Sequence, residues 1–199
     1  AQTLDLLLTI FPFEKKSFAK TRLPVKYVGN PLIATIREYA YWQQKAKPAN
    51  LIGLFPGSRE KEIRRNLPLQ LQVAKKLCAE QPHLQIALSI AHERFRPLIK
   101  KITAGQPLLF FTSLKHFSLS SSLRLALATS GTVTLELALL QVPTLVTYAV
   151  KPLDLFIIQK ILKINLPHYS LANIILNQPL FLEFFGPNFT FAKLYAAAK

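Results

Sequence analysis

From residue 51 onward, short apolar runs alternate with segments of helical periodicity. In the first helical segment, the apolar positions recur every three or four residues, as on one face of a helix. The apolar runs predict strands over residues 51–55, 84–90, 108–112, 123–129 and 144–148. Runs that are apolar throughout are typical of parallel strands covered on both faces. The alternation therefore predicts an α/β fold built on a doubly wound parallel sheet.

The helices of this fold are predicted from the same pattern. Pro68 is not tolerated inside a helix, so the first helix is expected to begin near Asn66, after a separate opening turn over residues 60–65. Further helices are predicted over residues 93–103, 132–140 and 153–162, and a C-terminal helix over 186–199.

The chain divides at residue 51. Residues 1–32 are interpreted as the end of a preceding domain with two further strands, residues 33–50 as a linker, and residues 51–185 as the main domain. An apolar run at residues 4–11 opens a chain that has no Met, and this predicts a fragment whose upstream half is missing.

Charge and cysteine content limit the function classes. The chain has 25 Lys and Arg against 10 Asp and Glu, a net charge of +15 that favours an anionic partner such as nucleic acid, a membrane face or a phosphorylated small molecule. The single Cys78, predicted to lie in the core, excludes an internal disulfide and a multi-cysteine metal site. We expect no metal and no cofactor, since no Asp-x-Asp, G-x-G-x-x-G or P-loop motif occurs.

Two predicted strand-to-helix turns carry the candidate site, because ligands of doubly wound sheets bind outside the carboxyl ends of the strands. In the first turn, Gly57 lets the backbone approach a ligand, Ser58 can cap the next turn, and Arg59 offers a planar cation for phosphate oxygens. The free N–H groups at a helix start also favour anions. An ordinary turn with a solvent-exposed arginine would show the same residues.

The second turn contains Ser130, Gly131 and Thr132, with Glu136 one helical turn later on the side of Thr132. A carboxylate at this place can accept hydrogen bonds from both hydroxyls of a ribose, whereas a threonine N-cap with a glutamate near the helix start is the simpler alternative. Taken together, phosphate donors in one loop and a ribose acceptor in the other predict a site for a nucleoside diphosphate.

The chain resembles the lipid-A-disaccharide synthases, glycosyltransferases with two Rossmann-like domains (the GT-B architecture). "LFPGSREKEIRRNLP" is similar to the family's Leu-Pro-Gly-Ser-Arg segment, and "LALATSGTVTLELAL" to its Ser-Gly-Thr-x-Thr-Leu-Glu segment. "VTYAVKPLDLFIIQKILKI", "YSLANIIL", "IFPFE" and "VGNPL" resemble other family segments in the same order. Asn30, Ala172 and Arg124 depart from the residues usual in the family.

This resemblance implies an inverting hexosyltransferase of lipid A biosynthesis. It would join UDP-2,3-diacylglucosamine to 2,3-diacylglucosamine 1-phosphate, and this chain would supply the UDP-sugar-binding half. Gly57, Ser58, Arg59, Ser130, Gly131 and Thr132 would bind the diphosphate, and Glu136 the ribose. Asn173 would bind the nucleotide or sugar, with a loop amide that satisfies backbone groups as the alternative. Arg59 is the candidate catalytic residue, and the general base is expected upstream of the chain.

The resemblance also implies a cytoplasmic enzyme that is peripheral on the cytoplasmic face of the inner membrane of a Gram-negative-type bacterium. A homodimer is one possible assembly. Lys151, Lys160 and Lys163 lie on a predicted amphipathic helix that would contact an anionic membrane surface, although such helices often only cover a sheet.

Three alternatives remain open at this stage. One is another UDP-sugar enzyme of the same fold, either the glycosyltransferase of the peptidoglycan lipid intermediate or a UDP-sugar epimerase. The second is a basic nucleic-acid-binding module, which is disfavoured because no helix-turn-helix, zinc finger or RNP-type pattern occurs and no nucleic-acid partner is expected. The third is a half-enzyme without activity of its own.

Overall fold

The structure is a computed structural model that describes residues 4–42, 50–106, 108–112, 117–150 and 167–199. It divides into two compact units, Ala1–Gln44 and Lys45–Lys199. The candidate site belongs entirely to the second unit.

The first unit holds a two-stranded parallel sheet. Strand β1 (Leu7–Thr9) pairs with β2 (Val25–Tyr27), and the short helix α1 (Glu14–Ser17) lies between them in sequence. Helix α2 (Pro31–Trp42) follows. Its start is stabilised by Asn30, whose side-chain oxygen accepts a hydrogen bond from the backbone N–H of residue 32 at 2.9 Å.

Helix α2 covers residues 33–42 of the segment that the sequence analysis interprets as a linker. The rest of that segment, residues 43–49, lies outside the described residues. The domain boundary itself stays a prediction.

The second unit is built on a six-stranded sheet in which every neighbouring pair is parallel. Its strands are β3 (Leu51–Phe55), β4 (Gln85–Ser89), β5 (Leu109–Phe111), β6 (Leu125–Thr129), β7 (Thr144–Tyr148) and β8 (Leu182–Phe185). Their spatial order is β5-β4-β3-β6-β7-β8. Counted from β3 this is the 3-2-1-4-5-6 order of the doubly wound nucleotide-binding fold, so the predicted fold class is confirmed.

Helices cover both faces of this sheet. They are α3 (Glu60–Glu80), α4 (Arg96–Thr103), α5 (Phe117–Ser121), α6 (Thr132–Leu139), α7 (Leu171–Leu176) and α8 (Phe191–Ala198), with 3₁₀ turns at Glu93–Phe95 and Gly186–Asn188. Alternate residues of β3 face opposite sides: Ile52 and Leu54 pack in the core with α3, α4 and α8, whereas Leu51 and Phe55 pack in the second core with α5 and α6. Cys78 packs against the first of these cores, as predicted.

Helix α3 is continuous, and the predicted separate turn over residues 60–65 is therefore wrong. Pro68 lies inside the helix. Two buried side chains, one before and one after Pro68, connect the helix to the end of β7. Asn66 accepts a hydrogen bond from the N–H of Ala149, and Gln70 donates one to the hydroxyl of Thr147, both at 2.8 Å. Apolar packing and these contacts offset the cost of an interior proline, about 3 kcal/mol.

The chain runs from β3 outward through β4 to β5 and then crosses back to β6, on the other side of β3. This reversal is the switch point at which doubly wound sheets open a crevice. Because β3 and β6 are parallel neighbours, with Phe55 paired to Ala128, the two predicted turns leave the same edge of the sheet side by side.

Candidate functional site at the switch point of the sheet

The first turn joins β3 to α3 and is closed by Glu62. Its Oε2 accepts hydrogen bonds from the N–H groups of Ser58 at 3.0 Å and Arg59 at 3.3 Å. Nη1 of Arg59 donates to Oε1 of the same carboxylate at 2.9 Å. The prediction that Ser58 caps the helix is wrong, because Arg59 takes the N-cap position and the Glu62 carboxylate acts as the capping group.

Gly57 is required by the shape of this turn. Its φ of 113° lies in the region that residues with a Cβ rarely adopt. A Cβ added there would lie 2.5 Å from Oε2 of Glu62, closer than nonbonded atoms approach. The turn therefore depends on glycine for both backbone conformation and the fit of the carboxylate.

The second turn joins β6 to α6. The hydroxyl of Ser130 donates to the carbonyl oxygen of Tyr169 at 2.8 Å, and that of Thr134 to the carbonyl oxygen of Gly131 at 2.7 Å. Gly131 has an extended backbone, and a Cβ added there would meet only a carbonyl oxygen at 4.0 Å. The first N–H groups of any helix have no acceptor within it, so the start of α6 presents donors to the crevice.

Glu136 is buried on the first turns of α6, with 5% of its surface exposed. Its Oε1 has no hydrogen-bond partner within the part of the chain that the structure describes. Burial raises the pKa of this carboxyl to about 7, because a low-dielectric environment disfavours the charged form. A buried oxygen without a partner is costly, and a ligand that donates hydrogen bonds would remove this cost.

The two turns line one cavity of about 420 Å³. It brings together all the predicted site residues of both turns with the ends of β3, β4 and β6. The lining residues are Phe55, Pro56, Gly57, Ser58, Arg59, Glu62, Ser89, Ala91, His92, Thr129, Ser130, Gly131, Thr132, Val133 and Glu136.

The polar lining residues outside the two predicted turns are Glu62, Ser89 and His92. Ser89 is the last residue of β4, the strand on the other side of β3, and His92 lies in the loop that follows it. The position of this loop in a doubly wound sheet is the signal that could have found them. Glu62 could have been found from its spacing, since a glutamate three residues after an N-cap is typical of a capping box.

Asn173 is not brought to this cavity. It is buried in α7, where its Nδ2 donates to the carbonyl oxygen of Phe181 and its Oδ1 accepts from the N–H of Phe181, both at 2.9 Å. The side chain thus holds the loop between α7 and β8 in place.

The predicted membrane contacts cannot be located, since Lys151, Lys160 and Lys163 lie outside the described residues. Within the described ranges, no helix has the length and apolar character needed to cross a bilayer. No group of three or more His, Cys, Asp or Glu that could hold a metal ion occurs among the described residues.

The site therefore combines an exposed cation, helix-start donors and a buried carboxyl with a raised pKa. Arg59 has 79% of its side chain exposed, and only one of its guanidinium nitrogens is paired with Glu62, so other N–H groups can bind an anion. Glu136 faces the same cavity and can accept hydrogen bonds from hydroxyl groups. The chemistry suits a ligand that carries an anion at one end and hydroxyls at the other.

The chain is similar to known proteins over its whole length. A family model described as "Lipid-A-disaccharide synthetase" matches residues 1–199. The lipid-A-disaccharide synthase of Chlamydia pneumoniae is 38% identical over 193 residues, which cover 93% of this chain and 32% of that protein. The one from Synechocystis sp. is 34% identical over 199 residues, covering 90% of this chain and 48% of its own length.

Among solved structures, a pneumococcal O-GlcNAc transferase in complex with UDP and GlcNAc matches 77% of this chain and 32% of its own, with a TM-score of 0.45 and 8% identity. The chain spans about a third of the length of the chlamydial relatives. Because the family model matches the chain from its first residue to its last, the chain belongs to the lipid-A-disaccharide synthetase family.

Proposed function

We propose that this chain is the UDP-sugar-binding half of a lipid-A-disaccharide synthase. One observation carries the proposal: Arg59, the start of α6 and the Glu136 carboxylate, whose Oε1 has no partner among the described residues, line a single cavity at the switch point of the sheet. Uridine diphosphate would present its phosphate oxygens to Arg59 and the start of α6, and its ribose hydroxyls to Glu136. Membership of the family, whose named relatives are synthases of this kind, supports the same ligand class.

The two turns would share the diphosphate unequally. The N–H groups of Ser58 and Arg59 already have an acceptor in Glu62, so the first turn would act mainly through the Arg59 guanidinium. In the second turn, the N–H groups of Thr132 and Val133 and the hydroxyl of Thr132, which have no acceptor among the described residues, would bind the phosphates. Ser130 donates its hydroxyl hydrogen to Tyr169 and its N–H to Thr147, so its oxygen could accept only from a ligand hydroxyl and not bind a phosphate oxygen.

The reaction would be a direct displacement with inversion. The 6-hydroxyl oxygen of 2,3-diacylglucosamine 1-phosphate forms a bond to C1 of the donor sugar as the bond from C1 to the β-phosphate oxygen breaks. The hydroxyl proton passes to a general base outside this chain, and the electron pair of the broken bond leaves on UDP. Arg59 would stabilise the charge that develops on the leaving diphosphate, an interaction of a kind worth about 3 kcal/mol.

The proposal extends to the membrane, where substrates with acyl chains reside. The net charge of +15 favours binding to an anionic surface on the cytoplasmic side of the inner membrane. Sedimentation with vesicles tests this: we expect binding to vesicles with anionic lipid and none to neutral vesicles, and equal behaviour with both would contradict it.

Calorimetric titration of UDP tests the nucleotide site. We expect the wild-type chain to bind UDP, and Arg59→Ala to weaken binding roughly tenfold or more, since hydrogen bonds to charged groups contribute about 1.5–3 kcal/mol. Arg64→Ala is the matched control, because Arg64 lies on the same helix, pairs with Glu60 and is not part of this cavity. Unchanged affinity in Arg59→Ala would remove this residue from the site.

A further inference from the structure

Glu136 is a buried titratable group whose charge the surrounding protein does not compensate. The residue is 5% exposed, and its Oε1 accepts no hydrogen bond from any described residue. Its carboxyl also forms no ion pair within the described parts of the chain. A carboxyl in such a place keeps its proton to a higher pH than in water, because burial disfavours the charged form.

Few titratable groups face this carboxyl from the elements around it. Strand β6 and helix α7, which pack against α6, carry none, and β7 contributes Tyr148 at its end. Strands β3 and β5 and helix α5, which share a core with α6, carry none either. The cavity adds Arg59, Glu62 and His92. Arg59 is exposed and paired with Glu62, so water and that carboxylate weaken its effect. Burial is therefore the cause that raises the pKa of Glu136 to about 7.

A ligand that donates hydrogen bonds to this carboxyl would reverse the balance. Hydroxyl groups bond more strongly to a carboxylate than to a neutral acid, so they favour the charged form. Phosphates in the same cavity act in the opposite sense, since a like charge disfavours the carboxylate. In the proposed complex, Arg59 and the start of α6 compensate the phosphates, whereas the ribose hydroxyls contact the carboxyl directly. The hydroxyls should therefore decide the direction of the change.

We propose that binding of a nucleoside diphosphate at this site releases a proton from Glu136. This release depends on the proposed function, because the ribose is the part of the ligand that donates the hydrogen bonds. The carboxylic acid gives its proton to water or buffer, and the carboxylate that remains accepts from the ribose. Nucleotide affinity then rises with pH while the free protein carries the proton, and it levels off above about pH 7. A lower pH favours release of the nucleotide.

Calorimetric titration of UDP in buffers with different enthalpies of ionisation counts the protons released on binding. At pH 6.5, below the pKa of Glu136 in the free protein, we expect the wild type to release about half a proton more per UDP than Glu136→Gln. The terminal phosphate of UDP and the imidazole of His92 are present in both titrations, so the difference between the two proteins excludes them. Equal counts, or a smaller release by the wild type, would overturn the proposal.

The affinity for UDP gives an independent measurement. From pH 6 to pH 8, the ratio of the wild-type affinity to that of Glu136→Gln should rise about fivefold or more, because only the wild type gains a carboxylate in this interval. Glu60→Gln is the matched control: Glu60 pairs with Arg64 on α3 outside the cavity, so this variant should follow the wild type. A ratio that stays constant with pH would contradict the release of a proton.

Two further ligands separate the hydroxyls from the phosphates. Inorganic diphosphate has the charge without the ribose, so the wild type should release no more protons with it than Glu136→Gln does. The same extra release as with UDP would mean that the ribose is not the cause, and the proposal would be wrong.

UDP-glucose has both phosphates esterified, so its phosphates do not titrate near neutral pH. The wild type alone should still release about half a proton with it at pH 6.5. An anion favours the protonated form of an imidazole, so His92 is not the source of such a release. This measurement decides the question even if Glu136→Gln does not fold by circular dichroism, and uptake of a proton would overturn the proposal.

The same titrations distinguish a failure here from a failure of the proposed function. If UDP binds with equal proton counts in the wild type and Glu136→Gln, Glu136 does not lose a proton, and the nucleotide site itself stands. If neither UDP nor UDP-glucose binds at pH 8, where the carboxylate is formed, the proposed function is wrong and the proton release with it.

Discussion

The turns after β3 and β6 occupy equivalent places at one edge of the sheet but differ in what they leave unsatisfied. In the first turn, two N–H groups and the Arg59 guanidinium have the Glu62 carboxylate as their acceptor. In the second, the start of α6 faces the cavity and Glu136 holds a buried oxygen without a partner in the described part of the chain. The two backbone N–H groups of the first turn have their acceptor without a ligand, and only the Arg59 guanidinium has N–H groups left for one. The second turn is completed by a ligand.

Groups that have a partner within the protein and groups that lack one affect different properties, the stability of the fold and the binding of a ligand. A group that is satisfied within the protein contributes to folding, and its loss is measured as a lower free energy of unfolding. A buried group without a partner costs stability, and this cost is recovered when a ligand supplies the partner. Substitutions at Gly57 and Glu62 should therefore mainly lower the free energy of unfolding, whereas substitutions at Arg59 and in the second turn should mainly weaken the binding of UDP.

The largest effect is expected at Glu136. We expect Glu136→Gln to weaken UDP binding by about 2 kcal/mol, roughly 30-fold, because an amide accepts less strongly than a carboxylate from two ribose hydroxyls. Calorimetric titration measures this. Glu60→Gln is the control, since Glu60 lies on α3 and outside the cavity. Equal affinities for Glu136→Gln and the wild type would remove the ribose contact.

Replacing the glycine of each turn with alanine compares the two turns by their effect on the free energy of unfolding. Gly57→Ala should lower the free energy of unfolding by about 1–3 kcal/mol, since alanine is strained at positive φ and its Cβ would collide with Glu62. Gly131→Ala should change it by less than about 0.5 kcal/mol, because its backbone is extended and the added Cβ has room.

Urea unfolding gives both values, and Gly105→Ala is the control for φ alone, with φ of 69° and no atom within 4 Å of an added Cβ. If Gly57→Ala were no less stable than Gly105→Ala, the contact of the Gly57 position with Glu62 would not contribute to the stability of the first turn.

A smaller effect is expected from pH. The pKa of Glu136 is about 7 when folded and 4.5 as a free side chain, so between these values the folded protein binds more protons than the unfolded chain. Its contribution to stability should then fall as pH rises from about 4.5 to 7 and stay constant above. With allowance for partial access of solvent, the loss is on the order of 1–2 kcal/mol.

Comparing the wild type with Glu136→Gln isolates this contribution from the titration of other groups. Urea unfolding at pH 5 and pH 8 should show the wild type losing more stability than the variant across this interval. Parallel changes in the two proteins would mean that the carboxyl of Glu136 titrates near its ordinary pKa.

Much of the sheet could be predicted because its strands carry their own signal. The observed bounds of β3 and β7 equal the predicted ones, since each apolar run is five residues long and is bounded by a turn. Strand β8 was not predicted, because Leu182–Phe185 is short and includes Glu183. It pairs with β7 at the edge of the sheet, where one neighbour is enough to hold a strand whose own pattern is weak.

The residues of the two turns could be located from the local sequence. Contacts made with residues elsewhere in the chain could not. The turns were predicted from small residues between an apolar run and a helical period. Asn173 was also predicted to bind ligand, but its partner is Phe181, eight residues away on a loop whose course the sequence did not reveal. Ser89 and His92 line the cavity because β4 lies next to β3, and that pairing is a property of the sheet and not of the local sequence.

The sequence by itself determined the alternation of strands and helices, the positions of both turns and the excess of positive charge, because these depend on residue type and on spacing along the chain. Only the tertiary structure decided that α3 passes through Pro68, that Glu62 closes the first turn, and that Glu136 is buried with an oxygen that has no partner among the described residues. Burial and hydrogen bonding depend on which surfaces meet, and residues distant in sequence determine those contacts.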